Sequence, residues 1–352
     1  MSAPRAVSAA FRPDRRPFLL ASAGGHVREL TELVRQLGLR PGNATWGSSK
    51  GKQLDSLAAD GWDVVEVPLC EPRDTAALLK AFRPAHHILG DVRPSGVLTT
   101  GSAVALPFAA ASRLRRIPFT FVESLTRVSG PSRTGTFIEL LPGIDLRTQV
   151  IPWERRRGPL TRRWRRTISA LDGFERIATT TSMPVRRVFV AVGIMTREYP
   201  FDRLFDRLEA IVPDGVEVRV QGSRPRTTDR LTLLPDLTPA GVQAEIEAAD
   251  AVIVHAGVGL TLDCFEAGRH PLVVAREGAH GEHVDDHQLE FADALRRQDL
   301  ATTAHVDDLT WSVVEEAVGW SVRRAAPKLD PERLGLAGLP DAVVRELNDR
   351  RS

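Results

Sequence analysis

From residue 17 onward the chain alternates short, unbroken apolar runs with stretches in which apolar residues recur at helical spacing. "PFLLAS" (17–22), "DVVEVP" (63–68), "GVLTT" (96–100) and "PFTFVES" (118–124) read as strands. Val27, Leu30, Val34 and Leu37 fall on one helical face, and 73–85 and 103–115 are further helical stretches. The pattern restarts at 187. "RVFVAVG" (187–193), "VEVRVQG" (216–222), "AVIVHAG" (251–257) and "PLVVAR" (271–276) predict strands, and 201–212, 239–248, 260–268 and 284–297 predict helices. Strands alternating with helices imply parallel sheets joined by right-handed crossovers. The expected fold class is α/β, as two doubly wound Rossmann-like domains facing across a cleft. Ligands are expected at the carboxyl ends of the strands.

A chain of 352 residues has room for two such cores, and 42% hydrophobic with 26% charged residues describes a soluble globular protein. No run approaches the roughly 20 apolar residues of a membrane span. The N-terminus places Arg and Pro where a signal peptide carries its apolar segment, so secretion is not expected. Cys70 and Cys264 have no CxxC partner, which suits a reduced, cytoplasmic protein. The net charge of +2 conceals "ERRRGPLTRRWRR" (154–166), whose local excess of +6 leaves −4 elsewhere. This run marks a boundary. The expected division is a flexible tail at 1–16, a first domain at 17–153, a basic linker at 154–184 and a second domain at 185–352 ending in a helical tail. The run suits either a solvated linker or, with Trp153 and Trp164, an anionic membrane surface. No helix-turn-helix, RNP or finger pattern accompanies it, so nucleic acid is not an expected partner.

Four stretches carry candidate chemistry. "SAGGHVREL" (22–30) ends a strand at Gly24 and Gly25 and opens a helix at His26. It fits a tight corner, a phosphate cradle or a catalytic turn. "TTGSAVALPFAAASRLRR" (99–116) repeats the arrangement at Gly101 and Ser102, and its apolar helix is either buried or laid against lipid. "FVESLTRVSGPSRTG" (121–135) follows, with Glu123 and Arg127 near the same strand end. In "ADAVIVHAGVGLTLDCFEAGRHP" (249–271) a strand runs into His255 and Ala256, and Gly257, Val258 and Gly259 open a helix. Its bare N–H groups and positive end suit a diphosphate. The third glycine and acidic spacing of the dinucleotide fingerprint are missing. Asp263, one turn further, is placed to accept hydrogen bonds from a ribose.

"EGAHGEHVDDHQLEFADAL" (277–295) gathers His280, His283, Asp285, Asp286 and His287. A zinc hydrolase of the HExxH type needs Glu after the first His, and Val284 stands there. The expectation is no metal, with Asp286, His287 and Gln288 contacting sugar hydroxyls.

These blocks carry a family resemblance. "ASAGGHVREL", "TTGSAVALPFA", "FVESLTRVSGPSRTG" and "QVIPW" resemble the membrane-associated, acceptor-binding subunit of the two-subunit N-acetylglucosaminyltransferases of lipid-linked oligosaccharide synthesis. "VFVAVG", "YPFDRL", "ADAVIVHAGVGLTLDCFEAGRHPLVV" and "GEHVDDHQLEFADAL" resemble the catalytic, donor-binding subunit. Split bacterial exopolysaccharide transferases and MurG, in glycosyltransferase family 28 of GT-B fold, are similar. The two halves are fused here, acceptor half first.

The resemblance implies an inverting, metal-independent transferase without a cofactor, taking a hexose-type sugar from a UDP-sugar to a polyprenyl-diphosphate-linked or related acceptor. GlcNAc is the first expectation, with GlcA or Glc as others. The turn at Gly257 and Gly259 would hold the UDP diphosphate. Asp263 stands where the family usually has a ribose-binding Glu, and His287 and Gln288 match donor-sugar positions. Gly24, Gly25 and His26 match the turn that faces the acceptor. The glycine after the first strand of the donor half, Gly193, is followed by Ile194 in place of a small hydroxyl residue, which leaves Ser223 as the candidate to supply one. His26 is the first choice of base, its pKa lowered by the helix start, and Glu123 the second. Attachment to the inner face of the plasma membrane would be peripheral, through the apolar helix at 103–111 and the arginines within 113–116 and 155–166. The competing expectations are a UDP-sugar 2-epimerase of the same shape and a non-catalytic binding subunit.

Overall fold

The computed structural model describes residues 15–70, 75–150, 164–179, 184–193, 198–222, 230–235 and 237–325. These form two compact units. The first takes the described residues up to Ser124 and Pro131–Ile168, and the second takes Leu125–Gly130 and the residues from Ser169.

In the first unit β1 (Phe18–Leu20), β2 (Thr45–Ser48), β3 (Asp63–Glu66), β4 (Val97–Thr99), β5 (Phe119–Glu123), β6 (Asp145–Thr148) and β7 (Trp164–Arg166) form one sheet, in the order β3-β2-β1-β4-β5-β6-β7. Every pairing is parallel. The crossovers carry α1 (Gly25–Gln36), α2 (Lys52–Ala59), α3 (Thr75–Val92), α4 (Ala105–Arg115) and α5 (Arg133–Glu139). β1, β4 and the central residues of β5 are buried, as continuous apolar runs in a sheet covered on both faces should be. Phe18 stacks on Phe108 of α4 at 5.8 Å. β6 is different. Its "DLRT" is buried although half of it is charged, because Asp145 and Arg147 pair at 3.0 Å and Arg165 of β7 closes on Asp145 at 2.7 Å.

Two sequence expectations are corrected here. The end of the basic run is no linker: Trp164 starts the edge strand, is buried, and packs edge-on against Phe121 at 6.0 Å. Trp164 is thus unable to reach a membrane. The apolar helix does not lie against lipid either, since Ala103, Val104, Ala105, Phe108, Ala109 and Ala111 are core residues. Burying that many small side chains lets α3 pack closely on α4.

The second unit opens with β8 (Phe174–Ala178), which pairs antiparallel with β15 (Trp320–Arg324). Its main sheet is built from β9 (Arg187–Ala191), β10 (Glu217–Gln221), β11 (Leu231–Leu233), β12 (Ala251–Val254), β13 (Leu272–Val274) and β14 (Thr302–Ala304), in the order β11-β10-β9-β12-β13-β14. All pairings in it are parallel. The helices are α6 (Asp202–Ile211), α7 (Pro239–Ala248), α8 (Val258–Glu266), α9 (His287–Arg297) and α10 (Trp311–Val318). Thr238 caps α7 by accepting from Gly241 N–H at 3.1 Å, and Pro239 occupies the first turn, where a missing N–H costs nothing.

In both sheets the chain reverses its direction of travel at one strand pair: β1 beside β4, and β9 beside β12. Loops leaving the carboxyl ends of such a pair diverge and leave an opening. The glycine turns of the sequence lie at these two places.

Candidate functional site

At the first switch point Gly24 takes φ 98°, a conformation that disfavours any side chain, and N-caps α1. Gln53 of α2 grips it from both sides, accepting from its N–H and donating to its carbonyl at 3.2 Å. Gly25 begins α1. Across from it Gly101 has φ 107°, Ser102 has φ 70°, and Gly101 N–H donates to Thr99 Oγ1 at 3.1 Å. Thr100 ties the two turns together: its hydroxyl donates to the His26 carbonyl at 3.0 Å, and its own carbonyl lies 3.1 Å from His26 Nδ1. An Nδ1 facing a carbonyl carries the proton, which makes Nε2 the basic nitrogen. Behind His26 sits Glu29, fully buried, with one oxygen 4.0 Å from Nδ1. Ser124 Oγ donates to Glu29 at 3.0 Å and Gln149 Nε2 at 2.5 Å.

Glu123, the second candidate base, has its carboxylate engaged in the protein. Its buried carboxylate accepts from Ser124 N–H at 3.1 Å and from Ser132 N–H and Oγ at 2.9 and 3.0 Å. These three hydrogen bonds fix the carboxylate at the foot of the segment that follows. Glu123 holds the root of a loop, with Gly135 leaving the room that its carboxylate occupies.

The second switch point is crowded and cationic. His255 follows β12, and Gly257 N-caps α8, so the first N–H groups of the helix, from Val258 onward, point out of the turn. A Cβ at Gly257 would collide with the His255 ring, and one at Gly193, after β9 with φ 66°, would lie 2.7 Å from it. The bare backbone at both positions is thus required by a histidine. Ala256 and Val258 are buried beneath the turn, Gly259 lies in the first turn of α8, and Asp263 is half-buried one turn along. Arg276, after β13, is 4% exposed and donates Nη2 to the Val192 carbonyl. Burial lowers its pKa to about 10, which leaves it charged at neutral pH. Burial and then the charge of Arg276 hold His255 down to about 3.

The loop before α9 is built around carboxylates. Arg203 of α6 binds Glu282 at 2.9 Å and Glu277 at 3.2 Å, and Gly278 N–H donates to Asp286 at 2.9 Å. Gln288 accepts from Arg276 N–H at 3.0 Å. Asp286 and Gln288, expected to contact sugar, therefore each have a side-chain oxygen engaged in shaping the loop. His287 donates Nδ1–H to Asp285, and Arg127 Nη1 donates to the other oxygen of Asp285 at 3.1 Å. Burial works against the Asp285 charge, but His287 and Arg127 outweigh it and hold its pKa to about 2. Burial is also what lowers His287.

Arg127 was expected among the acceptor contacts, yet 125–130 packs within the second unit, where Ser129 also binds Glu290 of α9 through N–H at 2.9 Å and Oγ at 2.5 Å. The structure thus groups Gly24, Gly25, His26, Gly101 and Ser102 at one switch point. It groups Gly193, His255, Ala256, Gly257, Val258 and Gly259 at the other, with Asp263 one turn along α8, and joins Arg127 to His287 through Asp285. Ile194, Ser223, Trp153, 155–163 and both chain ends fall outside the described residues. Gln53, Glu29 and Arg276 were not singled out from the sequence.

Comparison with known proteins finds a family match over part of the second unit. Residues 240–316 match the glycosyltransferase family 28 C-terminal domain. A UDP-N-acetylglucosamine transferase subunit, ALG13, of Yarrowia lipolytica (strain CLIB 122 / E 150) is 36% identical over 66 residues, covering 18% of this chain and 32% of that protein. The match thus spans about a third of that relative's length. In fold the chain is similar to Acinetobacter baumannii MurG, with a TM-score of 0.51 and 14% identity over 95% of this chain and 98% of that one. It is likewise similar to S. aureus MnaA in its UDP co-structure, with a TM-score of 0.55 and 11% identity over 96% of each. The architecture is that of GT-B proteins, and within the second unit residues 240–316 are similar to the family 28 C-terminal domain.

Proposed function

We propose that this family 28 chain is an inverting glycosyltransferase that moves a hexose-type sugar, GlcNAc first among the candidates, from a UDP-sugar to a polyprenyl-diphosphate-linked or related acceptor. The observation that carries the reading is where the family match falls: 240–316 takes in the Gly257 turn, α8 and the His287 loop, the parts that converge on the second switch point.

The chemistry follows from the residues. The N–H groups opening α8 and the positive helix end attract the diphosphate, and the buried Arg276 charge adds to them. These fixed donors stabilise the negative charge that grows on UDP as the glycosidic bond breaks, and no metal is required for that role. His287, held by Asp285, offers Nε2 to a sugar hydroxyl. In the first unit His26 takes the proton of the acceptor hydroxyl on Nε2 as the oxygen attacks the anomeric carbon from the face opposite to UDP. Glu29 then steadies the imidazolium that forms.

Peripheral membrane binding belongs to the same reading, through other residues than 103–111. Leu79 and Phe82 of α3, Leu114 of α4, Phe137 of α5 and Leu140 just after it are exposed on or beside helices that neighbour one another, with Arg83, Arg113, Arg116 and Arg133 among them. Exposed apolar side chains and arginines on neighbouring helices suit an anionic bilayer surface. Flotation with anionic vesicles should fall with added salt and with Leu114→Asp, and flotation indifferent to both would remove that role.

The deciding experiment is a screen of UDP-sugars against polyprenyl-diphosphate-linked acceptors, read as UDP release and as glycosylated lipid. Acceptor-dependent UDP release is the expected result. Conversion of UDP-GlcNAc to UDP-ManNAc without acceptor would make the protein an epimerase, and UDP-sugar binding with no turnover under any pairing would make it a binding subunit.

A further inference from the structure

We propose that His283, Asp285 and His287 form a binding site for a divalent transition-metal ion of the zinc type, and that filling it withdraws His287 from the donor sugar. The withdrawal rests on the donor reading above; the metal site does not.

The three side chains point at one another across a single turn before α9. Their ligand atoms all lie within 4.8 Å of one another. Both histidines present Nδ1 to the same oxygen, Asp285 Oδ1: His287 by a hydrogen bond, His283 from 3.7 Å. Oδ2 is already held by Arg127 and stands clear of the cluster. His283 Nδ1 is shielded from solvent and makes no hydrogen bond, and its ring meets that of His287 edge-on at 4.5 Å. A shielded ring nitrogen without a hydrogen-bond partner, beside a carboxylate, is a defect in an ordinary loop and an asset in a metal site. Zinc bonds of about 2.0–2.1 Å place tetrahedral ligands about 3.3 Å apart, which side-chain rotation can supply from the observed spacing.

The consequence for the donor is a matter of protons. His287 now carries its proton on Nδ1, toward Asp285, and Nε2 accepts. A metal bound at Nδ1 moves that proton to Nε2, with no net gain or loss, and Nε2 becomes a donor. The hydrogen bond that His287 offers a sugar hydroxyl is thereby reversed in direction.

The test uses untagged full-length protein, stripped of metal, at pH 7.5. Calorimetric titration with Zn²⁺ should show one ion per chain, and Co²⁺ should give the visible absorption bands of a four- or five-coordinate site. His283→Ala and Asp285→Asn should each weaken Zn²⁺ binding by at least about tenfold. One equivalent of zinc should weaken UDP-GlcNAc binding, EDTA should restore it, and UDP alone should bind equally well with or without zinc. No stoichiometric binding to the wild-type chain would overturn the site, and so would undiminished binding in both variants. Bound zinc with unchanged UDP-GlcNAc affinity would overturn the withdrawal. If the metal-free chain binds no UDP-sugar, the donor reading and the withdrawal fall together, while the zinc and cobalt titrations still decide the site.

Discussion

The two switch points answer the same topological question with opposite chemistry. At the first, backbone geometry is the main device: two left-handed glycines and a left-handed Ser102 bring two turns together, and Thr100 stitches them so that His26 has one orientation. The buried charge behind it is negative, from Glu29. At the second, side chains crowd a bare backbone, and the buried charge is positive, from Arg276, with His255 and His283 held neutral around it. A negative group behind an imidazole favours a proton arriving there. A positive group behind a glycine turn favours an anion arriving. On the proposed function, the difference teaches how one architecture, used twice, would divide proton transfer from leaving-group binding.

The largest effect should come from the first switch point. His26→Ala is expected to lower kcat by roughly 10² to 10⁴, the range for loss of a general base, while calorimetry finds UDP affinity unchanged. Glu123→Gln, run beside it, should lower the melting temperature and leave most of kcat. A kcat loss in Glu123→Gln as large as in His26→Ala would return the proton-transfer role to that carboxylate and erase the contrast.

A smaller effect is expected at the second. Gly257→Val places a branched side chain against the His255 ring and over the helix start, and UDP affinity should fall by more than about tenfold with acceptor affinity retained. Equal UDP affinity in the two proteins would show that the anion site lies elsewhere.

The mildest effect concerns pH. Unfolded histidines take up protons near pH 6.5, whereas burial holds His255 to about 3 and His270 and His283 to about 4 in the fold. The unfolded state thus binds more protons between those limits, and stability should decline as pH falls through the window. Urea midpoints measured from pH 7 down to pH 4.5 should decrease, and His270→Gln should flatten the decline. Midpoints that stay level would mean that the histidines are not neutral in the folded chain.

Much of this was legible in the sequence because a strand buried on both faces writes itself as an apolar run. β1, β4, β5, β9, β12 and β13 lie within runs that the pattern marks. β2 was not legible, since "TWGS" has one large apolar residue and needs Gly47 to admit the Phe18 ring. β6 and β7 were hidden by ion pairing, which buries charged residues and makes a strand look like surface. β8 and β15 pair across more than 140 residues, a partnership that no local pattern announces. The site divides in the same way. Glycines at strand ends are visible because their backbone demands are local. Arg276 reads as the polar stop of an apolar strand, and Glu29 as the polar face of α1. Only the fold shows that both are buried.

The segment 125–130 has a consequence for anyone who divides this chain. The covalent order assigns it to the first half, yet Arg127 and Ser129 complete the second unit at Asp285 and Glu290. A cut at 168/169 would look clean in sequence and would leave the second fragment without its guanidinium. The pieces of a severed chain would have to restore that contact as a bimolecular encounter, at the mercy of concentration. In the intact chain the same six residues stay tethered through 131–168, and the encounter is intramolecular, independent of concentration.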